Sequence, residues 1–320
     1  MLSLLARIGC SGRGYNALRT AAHGYTIFMS VGANWISPEP RQKALRICSR
    51  YLLAVISFSL LCAGLSFVTK LQYSWSDWRP ATCMTTKAGC FCEAIRPGVI
   101  RQPVNAWSSL SFVLVGFIVL QMSFQTRRER HLQRPCNLLM ANPIYSLLYV
   151  IALLVIGLGS AFYHASQTFV GQTIDVIGMY FLATFMLLYA WSRLRPLKAR
   201  HAWWAYLVLN ALLTLVLIYA PYARRYIFAL LILAVLALEM RYRKMARPRI
   251  NSKYLVWGVG IMLLAFVLWV LDIKKLLYSP QSLLQGHALW HMLGAVSAML
   301  LFLYYRSEAA ASAPAAVVVE

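Results

Sequence analysis

PIYSLLYVIALLVIGLGSAFYH, residues 143–164, decides how the whole chain is read. It holds no Lys, Arg, Asp or Glu. As a helix it is roughly 33 Å long, which matches a bilayer core of about 30 Å. The run is therefore read as a membrane span, and it closes on a polar pair, Ser160 and His164.

Seven further apolar runs of similar kind flank it: Tyr51–Val68, Trp107–Phe124, Thr173–Trp191, Ala202–Tyr219, Tyr226–Met240, Tyr254–Leu271 and Gly286–Tyr305. Tyr226–Met240 is the shortest and lies between Arg225 and Arg241. Composition agrees with the pattern, since 60% of the 320 residues are hydrophobic and 12% charged, with a mean hydropathy of +0.62. No period of 20 to 50 residues repeats, which removes solenoids and propellers. The sequence predicts an all-α integral membrane protein, a seven-transmembrane helical bundle with one additional N-terminal transmembrane helix.

A net charge of +22 would suggest nucleic acid in a soluble chain. Here the basic residues sit in short runs between apolar segments, so they report topology and not nucleic-acid binding. Arg127, Arg128, Arg130 and Arg134 follow the second run, Arg193, Arg195, Lys198 and Arg200 the fourth, and Arg241, Arg243, Lys244, Arg247, Arg249 and Lys253 the sixth. Every second loop is thus strongly basic, which places both termini in the cytoplasm. The alternate loops, including the uncharged Ala165–Gln172, face outward.

Residues 1–50 form a basic leader broken by Gly and Pro, expected to be disordered and cytoplasmic. Residues 51–68 read as an uncleaved anchor, because a clean small-x-small cleavage site is lacking. Residues 69–106 form a non-cytoplasmic loop, 107–305 the seven-helix domain, and 306–320 a disordered tail. If the loop meets an oxidising compartment, one disulfide among Cys83, Cys90 and Cys92 is expected, its pairing open.

The chemistry lies at the run ends. Ser160 and His164 stand four residues apart, and so do His287 and His291, so each pair shares a helix face. The third run travels outward and ends at His164; the eighth starts outside at His287. Asp175 opens the fourth run on that same side and is taken as the only carboxylate at this depth. Three imidazoles and one carboxylate from three helices make the composition of a hydrolytic zinc centre, in which three protein ligands leave one position open. Tyr163 and Trp290 are assigned to the aromatic belt at the interface.

Taken together, Cys92-Glu93, Asn105-Ala106-Trp107-Ser108, Ser160-x-x-x-His164, Asp175 and His287-x-x-x-His291 resemble the alkaline ceramidase family, within the seven-helix superfamily of membrane hydrolases and receptors called CREST. The resemblance runs from about Cys90 to Tyr305. It implies that His164, His287 and His291 hold Zn2+, that Asp175 handles protons, that Ser160 helps stabilise the oxyanion, and that a ceramide amide is cut to a sphingoid base and a fatty acid. The family's acidic calcium patch is reduced here to Glu93, with Gln102 ahead of Asn105, so calcium is not expected. Two alternatives stay open: an ester hydrolase of the same superfamily, and a seven-helix receptor whose structural zinc takes Asp175 as fourth ligand.

Overall fold

The computed structural model describes residues 40–309 apart from 72, 86–89, 130–136, 196, 247 and 277–278. Most of the expected leader and most of the expected tail lie outside the described residues. The chain falls into two units, Met1–Leu53 and Ala54–Glu320. The longer unit carries all the chemistry considered below.

Nine α-helices are seen among the described residues: α1 (Pro40–Val68), α2 (Pro103–Glu129), the short α3 (Leu138–Ala141), α4 (Pro143–Ser166), α5 (Phe169–Leu194), α6 (Ala199–Tyr219), α7 (Arg224–Ala246), α8 (Ser252–Ile273) and α9 (Gly286–Arg306). No strand occurs there; one isolated antiparallel bridge joins Pro80 to Thr168. α2 packs on α4 and α9, α4 on α5, α5 on α6 and α7, and α8 on α9. α1 begins at Pro40, ahead of the apolar run that starts at Tyr51.

Seven of these helices are long and apolar enough to cross a membrane, and the stretch Tyr51–Val68 of α1 is one of them. α7 is the long helix left out. It covers the expected Tyr226–Met240, but Arg224, Arg225, Glu239 and Arg241 leave it too charged to qualify by composition. The seven therefore divide differently from the eight runs read in the sequence.

Glycine sets how closely α4 meets α5. A Cβ on Gly178 would stand 2.6 Å from the Ile156 backbone nitrogen, one on Gly159 would stand 3.1 Å from the Ile174 carbonyl oxygen, and one on Gly171 would stand 2.9 Å from the Tyr163 Cα. The partners step backward along α4 as the positions step forward along α5, so the two helices run antiparallel with their backbones in contact. Small residues at helix crossings allow this approach. The contact between Gly159 and Ile174 brings Ser160 of α4 beside Asp175 of α5.

The expected outward loop Ala165–Gln172 is not open. α4 ends at Ser166 on Gln167, which takes a left-handed conformation (φ 53°), and α5 starts at Phe169 behind Thr168. Ser166, Gln167 and Thr168 are all buried. The segment preceding α2 lies over them. Ala81 donates its backbone N–H to the Gln167 carbonyl, Phe169 donates to Arg79, Arg101 to Ala165, and Gln102 to His164. The bonds to His164, Ala165 and Gln167 satisfy carbonyls at the end of α4, and the one from Phe169 a first-turn N–H of α5, groups that helix ends leave without intrahelical partners.

At the opposite end, Arg193 is not a free loop charge. Its side chain is buried, paired with Glu239 of α7 and with Glu308 beyond α9, the latter at 3.4 Å. Tyr304 donates to Glu239 and Tyr242 to Glu308. The guanidinium also lies over the rings of Tyr189, Tyr242 and Tyr305.

The α4–α5 contact gives a direct test. Gly178→Ala must push backbone away from backbone, and overpacking of this kind costs about 1–3 kcal/mol. Its apparent melting temperature in detergent should fall by several degrees. Gly260→Ala, with open space around its Cβ, should leave that temperature unchanged. Equal melting of both variants would contradict the close approach.

Candidate metal centre

Each histidine reaches the site from a position its helix fixes. His164 sits in the last turn of α4, one turn beyond Ser160. His287 and His291 occupy the first two turns of α9 on one face. α9 has no side-chain cap from its preceding residue, Gln285. Asp272, at the end of α8, serves instead: Oδ1 accepts the His287 backbone N–H at 3.1 Å and Oδ2 the Cys92 N–H at 3.0 Å. A carboxylate at a helix N-terminus is favoured both by the open amides and by the dipole. One buried carboxylate thereby holds the backbone of His287 and the loop before α2.

That loop closes the site from the other side. The Glu93 carboxylate accepts the N–H groups of Val104 (2.8 Å) and Asn105 (2.9 Å), anchoring the start of α2. Both oxygens are therefore engaged by backbone amides. Burial pushes the Glu93 carboxyl above its ordinary value, and the two amides act against that rise. Between Cys90 and Glu93, the Phe91 ring stacks on His287 with centroids 3.7 Å apart and lies 5.1 Å from His164. A disulfide joins Cys83 to Cys90, which settles the pairing that the sequence left open. Tyr163 is buried in the core, and its hydroxyl donates to Cys83 Sγ at 3.2 Å, so it does not belong to an interfacial belt.

The three imidazoles converge. His164, His287 and His291 are all buried, and their ligand atoms lie within 4.8 Å of one another. His164 Nε2 is 3.0 Å from His287 Nε2. Three nitrogens held tetrahedrally on one ion at 2.0–2.1 Å are about 3.3 Å apart, so this spacing suits a single metal ion. The far nitrogens are engaged in two of the three rings. His164 Nδ1 pairs with Gln102 Oε1 at 2.9 Å, and His291 Nδ1 with Ser108 Oγ at 2.9 Å. Both Ser108 and Ser109 donate their hydroxyl protons to the Asn105 carbonyl, which leaves Ser108 Oγ to accept from His291 Nδ1–H. The Nε2 lone pairs of both rings then face inward. His287 Nδ1 is buried with no hydrogen-bond partner. The donor set and its geometry fit a metal ion.

Ser160 and Asp175 stand next to the ring group and not within it. Ser160 Oγ is 3.2 Å from His291 Nε2, and its hydroxyl also hydrogen-bonds Asp175. The Asp175 carboxylate is not among the ligand atoms grouped within 4.8 Å. It feels the positive charge of Arg224 of α7, which donates to Thr82 Oγ1 at 3.2 Å and to the Pro221 carbonyl at 2.7 Å. The five residues expected from the sequence are thus gathered at one end of the bundle.

Sequence reasoning missed Gln102 and Asp272. Asp175 is not the only carboxylate near the histidines: Asp272 is completely buried and fixes the backbone of His287. In the sequence it stands before Lys274 and Lys275 and reads as a solvated loop charge. Gln102 lies just ahead of Pro103, and Pro at the first helical position marks a helix start. That signal locates the turn without revealing its contact with His164.

With this geometry in hand, similarity to known proteins becomes informative. The chain belongs to the ceramidase family: the family's profile, described as Ceramidase, matches residues 91–315. No curated protein matches the chain. Membership marks it as an amide hydrolase of the ceramide-cleaving class, with a lipid substrate and a membrane setting.

Proposed function

We propose that this chain is a zinc-dependent amidohydrolase embedded in the membrane, cleaving the N-acyl amide of ceramide to a sphingoid base and a fatty acid. The observation that carries the proposal is the convergence of three buried imidazoles from two helices, with Ser160 bridging one of them to Asp175. His164, His287 and His291 hold the ion; bound there, zinc supplies Lewis acidity toward the scissile carbonyl and acidifies a water molecule.

The chain's own residues do the rest. Asp175 takes a proton from the attacking water and returns one to the leaving amine, the usual work of a positioned general base and acid. Ser160, whose single hydroxyl proton rests on Asp175 before substrate arrives, turns it toward the oxygen where negative charge develops. Phe91 and the strap over α4 keep bulk water away, which strengthens each of these interactions.

In this reading residues 107–305 are the seven-helix catalytic domain, and 51–68 is an additional span. α7 counts as a span because its Glu239 is paired with Arg193 inside the bundle, which reduces the cost of placing it in lipid. Both termini are cytoplasmic and the site is near the non-cytoplasmic face. A receptor with structural zinc would need a fourth protein ligand. Asp175, standing outside the ligand group, favours the hydrolase.

Asp175→Asn keeps the shape and removes the basicity. The variant should keep wild-type zinc content while hydrolysing labelled ceramide at least about a hundredfold more slowly. His291→Ala, assayed in parallel, should lose the metal. Unchanged hydrolysis in Asp175→Asn would remove the residue from the mechanism, and loss of zinc would make it a ligand.

Orientation is tested separately with single cysteines at exposed positions. Leu283→Cys, in the loop before α9, should react with an impermeant thiol reagent on intact bacterial host cells, and Met245→Cys, at the end of α7, should not. The reverse labelling would invert the topology.

A further inference from the structure

Gln102 lies outside every helix, yet it is completely buried, and both its side-chain oxygen and its backbone N–H are turned to His164. Its Nε2 donates to the Glu93 carbonyl at 2.8 Å, its Oε1 accepts from Gln167 Nε2 at 2.7 Å, and the same Oε1 meets His164 Nδ1 at 2.9 Å. Its backbone N–H donates to the His164 carbonyl at 3.0 Å.

A side-chain amide can turn either its oxygen or its nitrogen toward a neighbour, and the choice must follow from the hydrogen-bond network. Here the network leaves one choice. The Glu93 carbonyl can only accept, so the Gln102 nitrogen faces it and the oxygen faces His164. An oxygen cannot donate, so His164 must carry its proton on Nδ1. The Nε2 lone pair of His164 then points at His287 Nε2, 3.0 Å away. Gln167 braces the arrangement: its left-handed backbone ends α4, and its side chain donates to the same oxygen.

We infer that Gln102 is a positioning residue that fixes the His164 tautomer and ring orientation for metal binding, acting through His164 and touching no substrate. The inference rests on the three histidines holding a metal ion. Partners of this kind typically contribute 10–100-fold to metal affinity. The chain from Glu93 through Gln102 to His164 also makes the start of α2 part of the metal centre. The loop before α2 is therefore more than a cover.

The test measures zinc affinity of the full-length purified protein by competition with a chelator of known affinity. Wild type, Gln102→Met and Gln102→Glu are compared. Methionine preserves length and removes the acceptor; zinc binding should weaken about 10–100-fold, still reaching one ion per chain at saturation. Glutamate gives up the donor to the Glu93 carbonyl but retains an oxygen toward Nδ1–H, the contact on which the inference rests, so its affinity should stay within about threefold of wild type or exceed it. Wild-type affinity in Gln102→Met would overturn the inference. Should that variant fail to fold, Gln102→Glu decides alone: a loss of tenfold or more overturns the inference and retained affinity supports it. A wild-type protein that binds no zinc would instead overturn the metal reading beneath it.

Discussion

Three imidazole rings buried at one end of a membrane bundle impose the constraint on which the site depends. A polar nitrogen left unpaired in such surroundings costs several kcal/mol, and among these rings the exception is His287 Nδ1, which has no hydrogen-bond partner. Outer hydrogen bonds to Gln102 Oε1 and Ser108 Oγ turn the Nε2 lone pairs of His164 and His291 inward, and His287 Nε2 stands 3.0 Å from that of His164, a spacing that suits one cation between the rings. The surrounding features follow from holding that geometry. Glycine contacts set the distance from α4 to α5, Asp272 fixes the start of α9, and Glu93 fixes the start of α2.

The two ends of the bundle solve different problems. One gathers histidines, a serine and a carboxylate under a strap of loop. The other neutralises Glu239 and Glu308 with a single buried Arg193 and a ring of tyrosines, tying α5, α7 and the segment after α9 together. The second cluster explains how a helix carrying Glu239 can still be accommodated within a membrane bundle.

Much of the site was legible because its signals are local. The four-residue spacings of Ser160 with His164 and of His287 with His291 require only helical periodicity, and the alternation of basic loops set them at a common depth. Asp175 was legible for the same reason. Gln102 and Asp272 were not, because their roles depend on partners far away in the chain. A buried Asp272 beside Lys274 looks the same in sequence as a solvated one. Arg193 was counted as a loop charge because nothing nearby in sequence announces Glu239 or Glu308. The Ala165–Gln172 link reads as an open loop because its burial comes from contacts with Arg79, Ala81, Arg101 and Gln102, which sequence periodicity does not describe.

Zinc-edge X-ray absorption of the purified protein reads the ligands themselves and not their consequences. Three imidazoles on one ion give nitrogen and oxygen scatterers at about 2.0–2.1 Å with the multiple-scattering pattern of those rings. A sulfur shell at about 2.3 Å, or a protein with no bound zinc, would contradict that ligand set.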